Sequence, residues 1–215
     1  MNQPAISTFK TIDIDTWVRK DIYAFYRTYQ DPFFHVTAAV DMTGLKQSAG
    51  KAPGIFFLSY LHAALTALNQ TEALRLRFHG DGVVCYDTIH CGCTVMREDE
   101  TFGFVFFPFY SDLAAFIEEA KPRLEAGKKA KGLIPLDARP DVAFFSVLPW
   151  IHFSSFKNAH LEHQNDAFSR IVFGKGELKD DRFIVPVAAE VNHALVDGLH
   201  LGQFYRRLEN ITGQR

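Results

Sequence analysis

Apolar and polar positions along this chain fall into periods that mark one element after another. From Phe33 to Met42, the residues Phe34, Val36, Ala38, Val40 and Met42 recur every second position, which predicts a strand with one apolar face. Ahead of it, Asp15 to Tyr29 predicts an amphipathic helix with Trp17, Ile22, Phe25 and Tyr26 on one side. A longer helix is predicted over Pro53 to Asn69, opened by Pro53 and apolar through Leu58, Leu61, Leu65 and Leu68. Gly82–Tyr86 and His90–Met96 read as short strands. Phe102 to Phe109 reads as another, with phenylalanine on both faces, so it is either covered on both sides or turned toward a neighbouring subunit. Ser111 is the expected N-cap of a helix from Asp112 to about Leu124. The second half predicts strands over Asp141–Phe153, Ala167–Gly174 and Arg182–Asn192. Asp197-Gly198 then turns the chain into a last helix, Leu199 to Ile211, whose apolar face is Leu201, Phe204, Tyr205, Leu208 and Ile211.

Strands and helices mix without strict alternation, so the expected class is α+β with a largely mixed or antiparallel sheet. No repeat, low-complexity tract or linker divides the sequence, and its 215 residues suit one domain, residues 1–215. With 47% hydrophobic residues the chain can bury a large core. The 23 Lys and Arg against 25 Asp and Glu leave a net charge of −2, which argues against a nucleic-acid protein. No apolar run is long enough to span a bilayer, and the first residues do not read as a signal peptide. Three cysteines make no disulfide framework, so a cytoplasmic location is expected. The 21 phenylalanines imply either a heavily aromatic core or an apolar ligand pocket.

The stretch Val191-Asn192-His193-Ala194-Leu195-Val196-Asp197-Gly198 carries the most chemistry. A strand ends in a histidine, and an acid and a glycine follow at a turn. A histidine held rigidly at a strand end suits a general base. On residue pattern alone, the favoured reading is an ordinary strand-end histidine followed by an Asp197 helix cap. His90-Cys91-Gly92-Cys93, with Cys85 nearby, lacks a second ligand pair at zinc spacing, so no metal is expected and the cysteines read as buried small hydrophobes. His152, His160 and His163 form no recognisable set. The stretch of Lys121, Lys128, Lys129 and Lys131 reads as a solvated face that could also serve an adenosine phosphate.

His193-x-x-x-Asp197-Gly198 resembles the acyl-transfer signature of the chloramphenicol acetyltransferase family and of dihydrolipoyl acyltransferase cores. Trp17-Val18-Arg19, Glu100-Thr101-Phe102 and Ser146-Val147-Leu148-Pro149-Trp150, followed by Phe153 and Phe156, resemble the chloramphenicol enzymes in the same order. The resemblance implies a two-layer mixed sheet with helices on one side and a homotrimer whose active sites lie at subunit interfaces. It implies His193 as general base, Ser146 as oxyanion donor and an Arg19–Asp197 structural ion pair. Tyr26, Phe34, Phe102, Ile134 and Phe156 correspond to acceptor-pocket positions, and Trp150 and Lys175 to the coenzyme A tunnel.

The implied activity is acetyl-CoA-dependent O-acetylation of a small-molecule hydroxyl, that of chloramphenicol first, which is an antibiotic-resistance chemistry needing no metal. Departures from the family pattern are Asn192 in place of a first histidine, Val172 in place of a threonine, Asn158 and His160 in place of apolar pocket residues, and differences at Pro32 and Ile134. They leave open another hydroxyl acceptor, or a non-catalytic binder of apolar ligands that keeps the fold. A lipoyl acyltransferase is disfavoured because the chain has no lipoyl domain.

Overall fold

Seven strands form the main sheet, and their order sets where every candidate residue lies. The computed structural model describes residues 4–50, 54–133, 139–160 and 166–213. In chain order the elements are β1 (Phe9–Ile12), α1 (Lys20–Tyr26), β2 (Phe33–Asp41), α2 (Thr43–Ser48), α3 (Ile55–Asn69), a 3₁₀ turn (Glu72–Arg75), β3 (Leu76–His79), β4 (Gly82–Tyr86), β5 (His90–Met96), β6 (Phe102–Phe107), α4 (Leu113–Lys129), β7 (Val142–Leu148), β8 (Arg170–Gly174), β9 (Glu177–Lys179), β10 (Arg182–Asn192) and α5 (Gly198–Thr212). The main sheet runs β2-β10-β8-β7-β5-β6, with β9 also paired to β10. Only β5–β7 and β7–β8 are parallel, so the sheet is mixed, as expected. A separate antiparallel sheet, β1-β4-β3, was not legible beforehand, because β1 and β3 have only four residues each.

Alternation along the strands gives the main sheet two unlike faces. Phe107, Phe145, Ile171, Phe173, Val187 and Ala189 are fully buried on one face. The helices cover that face: Tyr60 of α3 packs on Phe173 with ring centres 4.7 Å apart, Phe116 of α4 meets Phe107, and Tyr205 of α5 donates to the Val187 carbonyl. One apolar cluster links these helices to both sheets. Helix α3 is buried on almost every side because it lies between the sheet and its neighbouring helices. On β3, the buried Arg77 donates to the carbonyls of Leu74, Leu76, Pro140 and Val142, and burial pushes its pKa down to about 10.

Several boundaries differ from the sequence reading for local reasons. Helix α1 has only seven residues, none fully buried, and Trp17 packs against the core from the turn before it. Asp13 accepts from the Asp15 N–H and the Thr16 hydroxyl and holds that turn. Strand β7 stops at Leu148, since Pro149 has no N–H to donate, and the chain leaves the sheet as a loop through Trp150, Phe153 and Phe156. Asp112, not Ser111, caps α4, its Oδ1 accepting from the Ala115 N–H at 2.8 Å. The helix then runs through Pro122 to Lys129, because Leu124 is buried and Gly127 lies so close to Val105 that a Cβ has no room. Pro53 lies outside the described residues; Gly54 takes the N-cap of α3 at φ 78°, a conformation that favours glycine. Among the described residues, no helix is long and apolar enough to cross a membrane.

Candidate active site

The sequence candidates gather into two separate groups. The first lies at the C-terminal ends of β5 and β7, where the two strands run side by side. A cavity of about 620 Å³ opens there, with Thr94, Phe102, Ser146, Leu148, Trp150 and Phe156 in its wall and α3 and α4 closing it through Tyr60 and Leu124. Ser146 faces this space because the register Ser146↔Val172↔Ala188 puts all three residues on the face opposite Phe145 and Phe173. The Thr94 hydroxyl donates to Ser146 Oγ at 2.9 Å. Val172, on the other side of Ser146, is buried and packs with Phe153 and Ala188. Trp150 and Phe102 remain largely exposed at the cavity mouth. Lys175 stays outside the cavity wall, but its N–H donates to the Ile151 carbonyl, which ties it to the Trp150 loop. Thr94 and the cavity residues contributed by α3 were not singled out from the sequence, since a strand threonine and helix aromatics read as ordinary core positions.

The second group surrounds His193 at the far end of β10. The imidazole stacks flat on Tyr26, with ring centres 4.1 Å apart and an interplanar angle of 8°, and Phe34 closes the other contact at 4.5 Å. The His193 backbone N–H donates to the Pro32 carbonyl. Asn192, where a histidine was expected, holds the turn: its Oδ1 accepts from the Ala194 N–H at 2.9 Å and its Nδ2 donates to the Asp166 carbonyl. Asp197 Oδ1 lies 3.2 Å from His193 Nδ1, without hydrogen-bond alignment. That placement favours the tautomer with its proton on Nδ1 and leaves Nε2 able to accept one.

Arg19 and Asp197 do form an ion pair. Both guanidinium Nη atoms reach the carboxylate, one at 3.1 Å and the other shorter, and Nη2 also donates to the His193 carbonyl. The pair spans 178 positions and anchors the turn after His193 to the segment before α1. Burial alone raises the Asp197 pKa, but the Arg19 hydrogen bond and charge, with His193 and His200, outweigh it and hold the carboxyl below its usual value. Asp197 also occupies the N-cap position of α5, where its own N–H donates to His200 Nδ1. The ion-pair and cap readings therefore describe one residue.

Asn158 and His160 serve neither group directly. Both bind the buried Glu190: Asn158 through its N–H and Nδ2, and His160 through Nε2. Asp166 stands 3.6 Å from His160 Nδ1 and pairs with Arg170. Burial works to raise the Glu190 pKa, yet these donors overcome it and hold the pKa below its ordinary value. The sequence could not reveal this network, because Glu190 at its centre lies 30 and 32 positions from His160 and Asn158. Ile134 and His163 lie outside the described residues. Cys91 and Cys93 share the buried, helix-covered face of β5, and burial raises the Cys91 pKa well above normal.

Register places the two groups far apart within one chain. From Ser146, two strand steps lead to Ala188, and five residues along β10 lead to His193. At ~4.8 Å per strand and ~3.3 Å per residue, their Cα atoms are separated by about 19 Å.

The chloramphenicol acetyltransferase family model matches residues 7–209. Chloramphenicol acetyltransferase 3 of Escherichia coli is 29% identical over 210 residues, covering 96% of this chain and 98% of the relative. The enzyme of Streptomyces acrimycini is 27% identical over 209 residues, covering 96% and 95%. A solved chloramphenicol acetyltransferase structure superposes with a TM-score of 0.82 at 29% identity, covering 95% of this chain and 99% of that one. The match spans both groups, from Arg19 to His193, and the chain therefore belongs to the chloramphenicol acetyltransferase family and is an acyltransferase.

Proposed function

We propose that the protein transfers an acetyl group from acetyl-CoA to a hydroxyl of a small molecule, at sites shared between subunits of a homotrimer. One observation carries this reading: His193, held between Tyr26 and Phe34, and Ser146, in the cavity wall, lie about 19 Å apart in one chain by strand geometry. Each must come within about 3 Å of the reacting atoms to work. A second copy that brings its His193 over the Ser146 cavity satisfies both, and closed symmetry supplies such copies. Val18, Phe25, Phe102 and Trp150, exposed apolar side chains beside the two groups, support that contact.

In the proposed reaction His193 Nε2 takes the acceptor hydroxyl's proton as its oxygen attacks the thioester carbonyl. Ser146 donates to the resulting oxyanion. The C–S bond then breaks, and the coenzyme A thiolate recovers the proton from His193. Trp150 and Lys175 flank the route for coenzyme A, while Tyr26, Phe34, Phe102 and Phe156 form the aromatic walls for the acceptor. The whole chain acts as one domain, for which the continuous apolar cluster speaks. Three unpaired thiols fit a reducing cytoplasm.

The names of the relatives make chloramphenicol the first acceptor to test, and resistance to it the first role. A more polar hydroxyl acceptor is the second reading, favoured by the Glu190, His160 and Asp166 network lying where apolar contacts were expected. The test is thiol release from acetyl-CoA by purified protein, with and without chloramphenicol, together with co-expression of His193→Ala and Ser146→Ala chains. Each variant alone should be nearly inactive. Random mixing into trimers should restore about a quarter of the wild-type sites, since one in four pairs a good histidine with a good serine. No recovery, or an active monomer by light scattering, overturns the shared site; coenzyme A binding without turnover would identify a non-catalytic binder.

A further inference from the structure

Ser146 has neighbours of unequal chemistry on its two flanking strands. Val172 on β8 presents only methyl groups, whereas Thr94 on β5 donates its hydroxyl proton to Ser146 Oγ at 2.9 Å. Thr94 and Ser146 both line the cavity wall. Among the described residues, Thr94 is the hydrogen-bond partner of the serine hydroxyl, and none of them accepts the serine's own proton. A serine oxygen has one proton to give and two lone pairs to receive with. With one lone pair occupied from the β5 side, the O–H is directed away from Thr94 toward the open cavity. Thr94 is itself held firmly: β5 is paired on both sides, to β6 and β7, and a β-branched side chain has few rotamers.

We propose that Thr94 is a positioning residue for acyl transfer, its hydroxyl fixing and polarising the Ser146 O–H so that it points at the developing oxyanion. A donor that itself receives a hydrogen bond becomes a stronger donor. An oxyanion group is most effective when its direction is set before charge develops, so that no reorganisation is needed during the reaction. On the β8 side Val172 cannot perform this task, which leaves it to β5. The inference rests on the proposed role of Ser146 as oxyanion donor. No proton leaves Thr94 or Ser146; only the direction and strength of one hydrogen bond are at stake.

The test compares Thr94→Val, Thr94→Ser, Ser146→Ala and the double variant Ser146→Ala/Thr94→Val, by kcat and KM for chloramphenicol-dependent transfer or for the slower acetyl-CoA hydrolysis, alongside melting curves. Thr94→Val keeps the shape and removes the hydroxyl, so kcat should fall about 3–10-fold, the range of one neutral hydrogen bond, with KM nearly unchanged. Thr94→Ser should restore kcat, and the double variant should be no slower than Ser146→Ala. Full kcat in Thr94→Val beside a crippled Ser146→Ala overturns the proposal while sparing the oxyanion reading. A raised KM at unchanged kcat, or an equal further loss in the Ser146→Ala background, also overturns it, because Thr94 would then act apart from Ser146. Full activity in Ser146→Ala overturns the oxyanion reading itself. If Thr94→Val melts early, Thr94→Ala carries the same comparison.

Discussion

The two faces of the main sheet are made by the same strands, and they spend those strands differently. On the helix-covered face, Phe107, Phe145, Phe173 and Val187 pack against α3, α4 and α5 in one largely apolar cluster. One residue away along each strand, the opposite face carries Thr94, Ser146, Arg170, Glu190 and Asn192, each engaged in a specific hydrogen bond or ion pair. Apolar packing is tolerant of chemistry but sensitive to volume, whereas the polar face is sensitive to the identity of single atoms. Period two lets one sequence satisfy both demands.

That contrast should break cleanly under mutation. The largest effect is expected at the polar end: His193→Ala should lower transfer by about 10²–10⁴-fold, the range of a lost general base, with an unchanged melting curve. Near-normal turnover would remove the base role. On the packed face, Phe173→Ala should cost about 3–5 kcal/mol of stability through cavity formation. Chemical denaturation measures that cost, and the kinetics of the surviving folded protein should remain close to wild type.

Asp197→Asn belongs to both worlds, since Asp197 holds Arg19 and shapes the turn behind His193. Stranding a buried charge costs ~3–5 kcal/mol, and because Asp197 is 30% exposed the expected loss is about 2 kcal/mol, with a parallel fall in turnover. Unchanged melting would reduce Asp197 to a helix cap, a task that asparagine also performs.

The smallest effect concerns acid. Glu190 and Asp197 hold their protons less tightly folded than unfolded, so their contribution to stability is present above the ordinary carboxylate pKa and is lost as pH falls through the lower folded values. Melting temperatures measured from neutral pH downward should therefore fall in that acidic window. Glu190→Gln should flatten the decline, and an identical decline in that variant would show that the network adds nothing.

Much of this was legible in the chain. The apolar run in Arg182–Asn192 predicted β10 to the residue, and the periodic face Leu201, Phe204, Tyr205 and Leu208 is the buried face of α5. Such segments carry their own apolar signal over eleven or more residues, which local sequence reads well. Elements of four residues, such as β1 and β3, exist because a partner strand satisfies their backbone, and no short window contains that partner. The same holds for chemistry. His193, Ser146, Arg19 and Asp197 stood out through motif resemblance, while Thr94 and Glu190 looked like unremarkable strand positions.

What the amino-acid order decides here is which residues can face together, since alternation is built into the backbone itself. Which of those faces receives helices, and which strands lie side by side, depends on contacts between segments far apart in the chain. The parallel pairing of β5 with β7 joins residues 52 positions apart and so brings Thr94 to Ser146. The antiparallel pairing of β10 with β2 carries His193 to Tyr26 and Phe34. Loop-closure entropy opposes every such meeting, and only cooperative burial of the apolar face overcomes it, so these juxtapositions exist in the tertiary structure alone.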